Sequence, residues 1–257
     1  MDHGPIVLWH LNVGGVDLSI TNQVFLLFVA AILTFAFVRF GVSRARLYPL
    51  GPFKNLVEVM LEFIKENIAV AFLGDKAAKW LPFLTALFFF VLFNNLLGLI
   101  PIPSFISTPT SNINVTAVLA ILVFLVAQAV GIMHHGVMHY VNILFPKSAP
   151  AWLRFSFMPI IELISLLAKP FSHAVRLFAN MTAGHQIIAV FIIGEFVGIN
   201  WLLQNQAAWG LVKVAAVIPF ALVLAMTAFE IFVAFIQAFI FALLAALYLS
   251  ESLSDAH

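Results

Sequence analysis

The amino-acid sequence predicts an all-α integral membrane protein, and three observations support this fold class. Of 257 residues, 63% are hydrophobic and only 9% are charged, whereas a soluble domain carries about a quarter charged residues. The mean hydropathy of the chain is +1.11. Several uncharged runs approach the ~20 residues that a helix needs to cross a bilayer. A bilayer suits this chain better than water, so we expect one membrane domain over residues 1–257.

The same composition argues against several other classes of protein. The net charge of +1 is too small to favour nucleic-acid binding. The chain contains no cysteine, which excludes disulfides, thiolate metal sites and redox chemistry at sulfur. We find no phosphate-binding loop and no nucleophile elbow, so the sequence does not indicate an enzyme, and no cofactor is expected.

The first crossing helix is predicted over residues 22–40. Arg39, Arg44 and Arg46 stand at its end, and cytoplasmic flanks of membrane helices carry an excess of such residues. The N-terminus is therefore expected on the outer side of the membrane.

The next elements are a surface helix and a helical hairpin. Residues 53–72 begin with apolar side chains at helical spacing opposite a charged face, which predicts an amphipathic helix on the membrane surface. Residues 81–100 and 113–135 are uncharged apart from two terminal histidines, and they predict two crossing helices joined by an outer turn. Lys147 and Arg154 follow, which places the next loop in the cytoplasm.

The last two segments, residues 155–194 and 209–249, are longer than ordinary crossings. As straight helices each would reach about 60 Å, roughly twice the hydrocarbon thickness. Each predicts either one steeply inclined helix or a kinked or re-entrant pair, with candidate breaks at Pro170, Gly184 and Pro219. Two inclined single passes would leave the C-terminus in the cytoplasm.

A polar stripe runs along the first of these two segments. Its members recur at helical spacing, which places them on one side of a helix. They are Glu162, Ser165, Lys169, Ser172, His173, Arg176 and Asn180. Beyond them come Thr182, His185 and Gln186, and the last segment adds Thr227, Glu230 and Gln237. A charge at bilayer depth costs about 2.5 to more than 10 kcal/mol, so such side chains normally face protein or water.

The residues alone leave three interpretations of this stripe open. In the first, Arg176 pairs with Glu162 or Glu230 and only holds two helices together. The second is the substrate site of a secondary ion-coupled solute transporter. The third is a proton path through carboxylate, imidazole, amide and hydroxyl groups and trapped water. The mixture of these groups favours the third, and the absence of a visible internal repeat argues against the second.

A histidine cluster, His134, His135 and His139, offers a competing site. Two histidines four residues apart can bind a metal from one helical face, as in membrane di-iron oxygenases. Such enzymes need several histidine boxes, and the other histidines of this chain are scattered. We therefore interpret the cluster as part of a membrane-interface loop and predict no metal site.

Four stretches resemble subunit a of the F-type ATP synthases, the stationary ion-channel subunit beside a rotating c-ring. ELISLLAKPFSHAVRLFANMTAGH (162–185) resembles the core signature of that family. NNLLGLIP (94–101), TPTSNINVT (108–116) and EIFVAFIQAFIFALLAALYL (230–249) resemble three more of its segments, in the same order and spacing. The resemblance implies five crossing helices and one surface helix, with the last two crossing helices single, long and steeply inclined around the ring.

The resemblance also implies a role for individual residues. Arg176 would face the carboxylate of the ring and separate two half-channels. Asn180 and Gln237 would line the same interface, and His185 and Glu230 would be a coupled pair in the outer half-channel. The implied cytoplasmic half-channel consists of Glu162, Ser165, Ser172 and His173. Lys169 has no firm role, because its long side chain could simply snorkel to the interface.

The implied function is that of a non-catalytic proton-channel subunit in the membrane sector of a rotary ATP synthase. Its implied partners are the c-ring, b-type subunits of the peripheral stalk and the lipid bilayer. A bacterial inner membrane is favoured over a mitochondrial one. The chain departs from many relatives at Asn112, where they carry an acid near the outer entry. It also has the histidine before the glutamate, an order that some relatives reverse.

Overall fold

The computed structural model describes residues 7–10, 12–13, 16–17, 19–42, 51–99, 109–136, 157–204 and 209–254. Within these ranges the chain is almost entirely helical, which confirms the predicted all-α class. The α-helices are α1 (Asn22–Val42), α2 (Pro52–Ile64), α3 (Ala71–Leu73), α4 (Ala77–Gly98), α5 (Ile113–His135), α6 (Met158–Gln204) and α7 (Trp209–Leu253). The predicted positions Arg44, Arg46, His139, Lys147 and Arg154 lie outside the described residues.

Within the part of the chain that the structure describes, five helical stretches are long and apolar enough to cross a membrane, as the sequence predicts. They are Asn22–Arg39, Lys54–Gly98, Ile113–His135, Met158–Gly184 and Ala221–Leu253. The second stretch contains both the predicted surface helix and the crossing helix α4. These lengths and compositions are those of a multi-pass membrane protein.

The segment predicted as a surface helix is one helical run with a change of pitch. Pro52 stands in the first turn of α2, where a missing N–H costs nothing. A π-helical segment, Lys65–Val70, continues α2 into α3. Val57 and Ile64 are fully buried against the rest of the protein. Gly74 then adopts a φ of +51°, and this turn leads the chain into α4.

Two short antiparallel strand pairs precede α1, and the hydrophobicity pattern does not predict them. β1 (Val7–Trp9) pairs antiparallel with β4 (Ile20–Thr21). β2 (Asn12–Val13) pairs antiparallel with β3 (Val16–Asp17). The Gly-Gly dipeptide between β2 and β3 in the sequence is typical of a two-residue hairpin turn. The hairpin returns the chain to the start of α1.

α7 is the central helix of the packed core, because one side of it carries small side chains. Ala234, Ala238, Ala242 and Ala246 recur every four residues and are no more than 1% exposed. Small residues at this spacing let neighbouring helices approach closely within a membrane. α4 and α6 both pack against α7, while α1 packs on α4 and α5 packs on α6 and α7.

α6 and α7 are each a single continuous helix. α6 comprises 47 residues, which corresponds to about 70 Å of helix. It runs through Pro170, which is buried, and through Gly184 without a break. This arrangement excludes a re-entrant pair in α6. The steep inclination of both helices to a bilayer stays a prediction.

Candidate functional site

The polar stripe of α6 divides between two environments in the structure. Ser165, Ser172 and Arg176 are exposed, whereas His173 is buried on the side that packs against α7. His173 and Arg176 are separated by about 60° around the helix. Helical spacing brought these residues to one side of α6, but only packing decides which of them face a neighbour.

Arg176 projects from α6 without a hydrogen-bond or ion-pair partner in the described part of the chain. No hydrogen bond or ion pair joins it to another described side chain, Glu230 included. The exposed residues beside it on the same side of α6 are small: Ser172 lies one turn before it and Ala179 one turn after it. A permanent cation exposed on a membrane-crossing helix is typical of a surface that another protein covers. The side chain of Glu162, another predicted partner of Arg176, lies outside the described residues.

Glu230 lies on α7 at the edge of a partly open cavity of about 170 Å³ between α6, α7 and the end of α4. The glutamate is only 6% exposed. Its Oε1 has no hydrogen-bond partner among the described side chains. Asn180 and Gly184 of α6 also line the cavity, and the rest of the lining is apolar. The cavity has room for several water molecules, which need ~10–15 Å³ each.

Gly184 makes room for the carboxyl group of Glu230. A Cβ atom at position 184 would stand 2.7 Å from Glu230 Oε1 and 3.1 Å from its Cδ. Contacts below 3.0 Å require one of the two groups to move. The absence of a side chain at Gly184 therefore lets α6 and α7 approach closely with the carboxyl group between them.

The side chain of His185, the predicted partner of Glu230, lies outside the described residues. Gln237 stands two turns after Glu230 on the same side of α7 and is 5% exposed. These positions join Glu230, Asn180 and Gly184 on the α6–α7 interface, while Arg176 stays on the exposed side.

His173 is enclosed by aromatic rings and is 1% exposed. Its ring centroid is 3.7 Å from that of Phe241 and 6.0 Å from that of Tyr248. Neither ring nitrogen has a hydrogen-bond partner in the part of the chain that the structure describes. A buried imidazole of this kind contrasts with the exposed Ser165 and Ser172, which were predicted to share a half-channel with it.

A second polar cluster joins the ends of α1, α4 and α5, and the sequence reading did not identify it. Thr110 Oγ1 donates a hydrogen bond of 3.0 Å to Asn95 Oδ1. Asn112 Nδ2 donates one of 2.7 Å to Gln23 Oε1. Asn95 is completely buried, and its Nδ2 has no partner among the described side chains.

This second cluster lies close to the Glu230 cavity. Leu99, one turn after Asn95, lines that cavity. The signal available in the sequence was the pair Asn94 and Asn95 within an otherwise apolar span. Two consecutive amides in a membrane helix are costly unless they find partners.

The rings of His134 and His135 lie at the end of α5 with centroids 4.5 Å apart and planes tilted by 57°. Among the described residues no three histidine, aspartate or glutamate side chains converge as metal ligands do. His139 is outside those residues, so the interface-loop interpretation of the cluster stays a prediction.

Comparisons with known proteins agree on one family. The model of the family "ATP synthase A chain" matches residues 24–250. The chain is 38% identical to ATP synthase subunit a of Paramagnetospirillum magneticum, over 95% of this chain and 93% of that protein. It is 37% identical to ATP synthase subunit a of Mesorhizobium japonicum, over 98% and 94% of the two chains. The corresponding protein of Myxococcus xanthus is 37% identical over 95% of this chain and 76% of its own length. Nothing in these matches favours the solute-transporter alternative, and the chain belongs to the ATP synthase A chain family.

Proposed function

We propose that this chain is the stationary, non-catalytic proton-channel subunit in the membrane sector of a rotary ATP synthase. The observation that carries the proposal is Arg176, a permanent cation on an exposed side of α6 with no described ion-pair or hydrogen-bond partner. Such a charge needs an anion, and a carboxylate arriving on a neighbouring subunit would supply one. The family match supports this assignment.

The mechanism follows from the cost of charge in hydrocarbon. A ring carboxylate that faces lipid must be neutral, because a bare charge there is too costly. Beside Arg176 the opposite charge favours the ionised form. A ring site would thus lose its proton on one side of Arg176, pass it as an anion and regain a proton on the other side. Arg176 would also repel free protons and prevent a direct leak between the two half-channels.

We assign one group of residues to each of the two half-channels. On the outer side we place Glu230 and Asn180, which line the same cavity as Leu99, one turn after the buried Asn95, together with His185. On the cytoplasmic side we place the exposed Ser165 and Ser172, with Glu162 nearby in the sequence. His173 is buried away from these hydroxyls, so it would act there only by shaping the helix interface. Gln237 extends the outer group along α7.

The partners and location follow from the same family. The chain would contact a c-ring through the exposed face of α6, and b-type stalk subunits elsewhere on its surface. We place it in a bacterial inner membrane, with the N-terminus outside because arginines follow the first crossing helix. The five crossings then leave the C-terminus in the cytoplasm.

Substitution of the arginine tests this function. We expect Arg176→Ala to abolish ATP-driven proton pumping and coupled ATP synthesis while the complex still assembles. Arg39→Ala, which removes an exposed arginine from the end of α1, is the matched control and should leave both activities in place. Pumping by inverted membrane vesicles and subunit content of the purified complex are the measurements. Normal synthesis in the Arg176 variant would overturn the proposal.

A further inference from the structure

Lys169 presents a difficulty for a channel that depends on one arginine. It lies seven residues before Arg176, which is about 20° around the helix and ~10 Å along it. α6 contains no lysine or arginine other than these two. A free ammonium group at this position would offer a passing carboxylate a second place to stop.

The structure shows that the charge of Lys169 is already matched. Its Nζ forms an ion pair and hydrogen bond with Oε2 of Glu251, near the end of α7. The side chains of Lys169 and Glu251 are 34% and 48% exposed. The Nζ atom also lies 5.7 Å from the ring centroid of Tyr248. These contacts draw the ammonium group towards α7.

Two further contacts keep this end of α7 in place. The hydroxyl group of Tyr248 donates a hydrogen bond of 3.4 Å to the backbone carbonyl of Lys169. Lys76 Nζ donates one of 2.9 Å to the backbone carbonyl of Leu253, where a helix end leaves carbonyl groups unpaired. These two bonds hold the end of α7 that carries Glu251 next to Lys169.

We propose that Glu251 is a positioning residue that neutralises Lys169, so that Arg176 is the only cation of α6 available to a ring carboxylate. The proposal rests on the function proposed above. Without Glu251, the free ammonium group of Lys169 would attract an ionised ring carboxylate to the Lys169 side of Arg176. The carboxylate would stay there longer, and rotation of the ring would slow. Glu251 itself carries no proton in this scheme.

A double-variant experiment tests the proposal. Glu251→Gln frees Lys169 and should slow ATP synthesis per assembled complex about five-fold, since an exposed charge pair is worth up to ~1 kcal/mol. Adding Lys169→Gln removes the stray cation and should restore synthesis to within about two-fold of the unmodified complex. Glu66→Gln is the matched control, because it breaks the similarly exposed Lys65–Glu66 pair on the π-helical segment and should have no effect.

Salt separates this role from a purely structural one. The Debye length falls from about 10 Å at 0.1 M to about 3 Å at 1 M salt. The defect of Glu251→Gln should therefore shrink at high salt, whereas a packing defect would persist. If that variant fails to assemble, Glu251→Asp, which only lengthens the pair, should show a smaller defect that Lys169→Gln also removes.

Three outcomes would overturn the inference. These are normal synthesis in Glu251→Gln, a double variant as slow as the single one, or a defect insensitive to salt. A slow double variant would mean that Glu251 acts in its own right. Arg176→Ala measured alongside keeps the two proposals apart. If it is inactive while Glu251→Gln is normal, only the present inference fails; if it is active, the proposed function fails.

Discussion

The absence of a side chain at Gly184 determines where the carboxyl group of Glu230 can lie. Gly184 leaves room for the carboxyl group between α6 and α7, with one carboxyl oxygen lacking a described partner. Unpartnered polar atoms in an apolar interior cost about 1–3 kcal/mol. Water in the adjoining cavity of about 170 Å³ would remove that cost. The site thus consists of the close contact between α6 and α7 and the adjoining cavity, which has room for water.

We therefore expect Gly184→Ala to displace the carboxyl group of Glu230 and lower proton-driven ATP synthesis, because a Cβ atom 2.7 Å from Oε1 leaves no room for the carboxyl group in its present position. Glu230→Asp retracts the carboxyl group by one methylene and should recover part of the activity when combined with Gly184→Ala. ATP synthesis and passive proton flux through the membrane sector are the measurements. Equal activity of Gly184→Ala and the unmodified chain would contradict the steric interpretation.

Several of these residues could be predicted from the sequence, but their surroundings could not. Arg176, Glu230 and Asn180 stand out because polar side chains are rare in such apolar segments. Periodicity could not place His173 inside the protein and Arg176 outside it. In a membrane the lipid-facing side of a helix is as apolar as the packed side, so the sequence lacks the contrast that marks the core of a soluble protein.

At the scale of elements, the helices were predictable and their junctions were not. The hydrophobic runs predict α1, α4, α5, α6 and α7. The N-terminal hairpin and the π-helical segment depend on local backbone geometry that hydrophobic periodicity does not report. The polar contacts between α1, α4 and α5 form only after those helices have packed. Asn112 is the clearest case, since it both caps α5 and donates to Gln23.

We expect Asn112→Ala to loosen the start of α5 by ~1 kcal/mol, the usual cost of losing an N-cap side chain. The variant loses both the 3.0 Å bond that Oδ1 accepts from the backbone N–H of Asn114 and the bond to Gln23. Hydrogen exchange of the first turn of α5 measures the effect. Asn114→Ala is the control, because that exposed side chain can change without loss of the cap. Equal protection in both variants would contradict the assignment.

At the scale of the whole molecule, exposed apolar residues lie on two different kinds of surface. α5 exposes Leu125 and Ile132 without charged neighbours on the same helix, as a lipid-facing helix does. α6 exposes Ala179 beside the permanent cation of Arg176. Hydrophobicity alone does not distinguish these surfaces, and the charge does.

Because the chain contains no cysteine, a single introduced cysteine can show by cross-linking which surface contacts the ring. We expect Ala179→Cys, one turn after Arg176 on the same side of α6, to form a disulfide with a cysteine placed beside the carboxylate of the ring subunit. Ala129→Cys of α5 is a matched control of the same type, since both alanines are exposed. Cross-linked product on a non-reducing gel is the measurement. Cross-linking from both positions, or from Ala129 alone, would place the ring on another surface.

Pro170 makes one turn of α6 easier to bend than the rest of the helix. Proline has no backbone N–H, so the carbonyl group of Leu166 loses its intrahelical donor and that turn is weakened. A long rod with one weak turn bends there before it bends anywhere else. A sideways force on the Met158 end of α6 would therefore be absorbed near Pro170. The half of the helix that holds Asn180 and Gly184 against α7 would keep its alignment, so the Glu230 cavity is insulated from the strain.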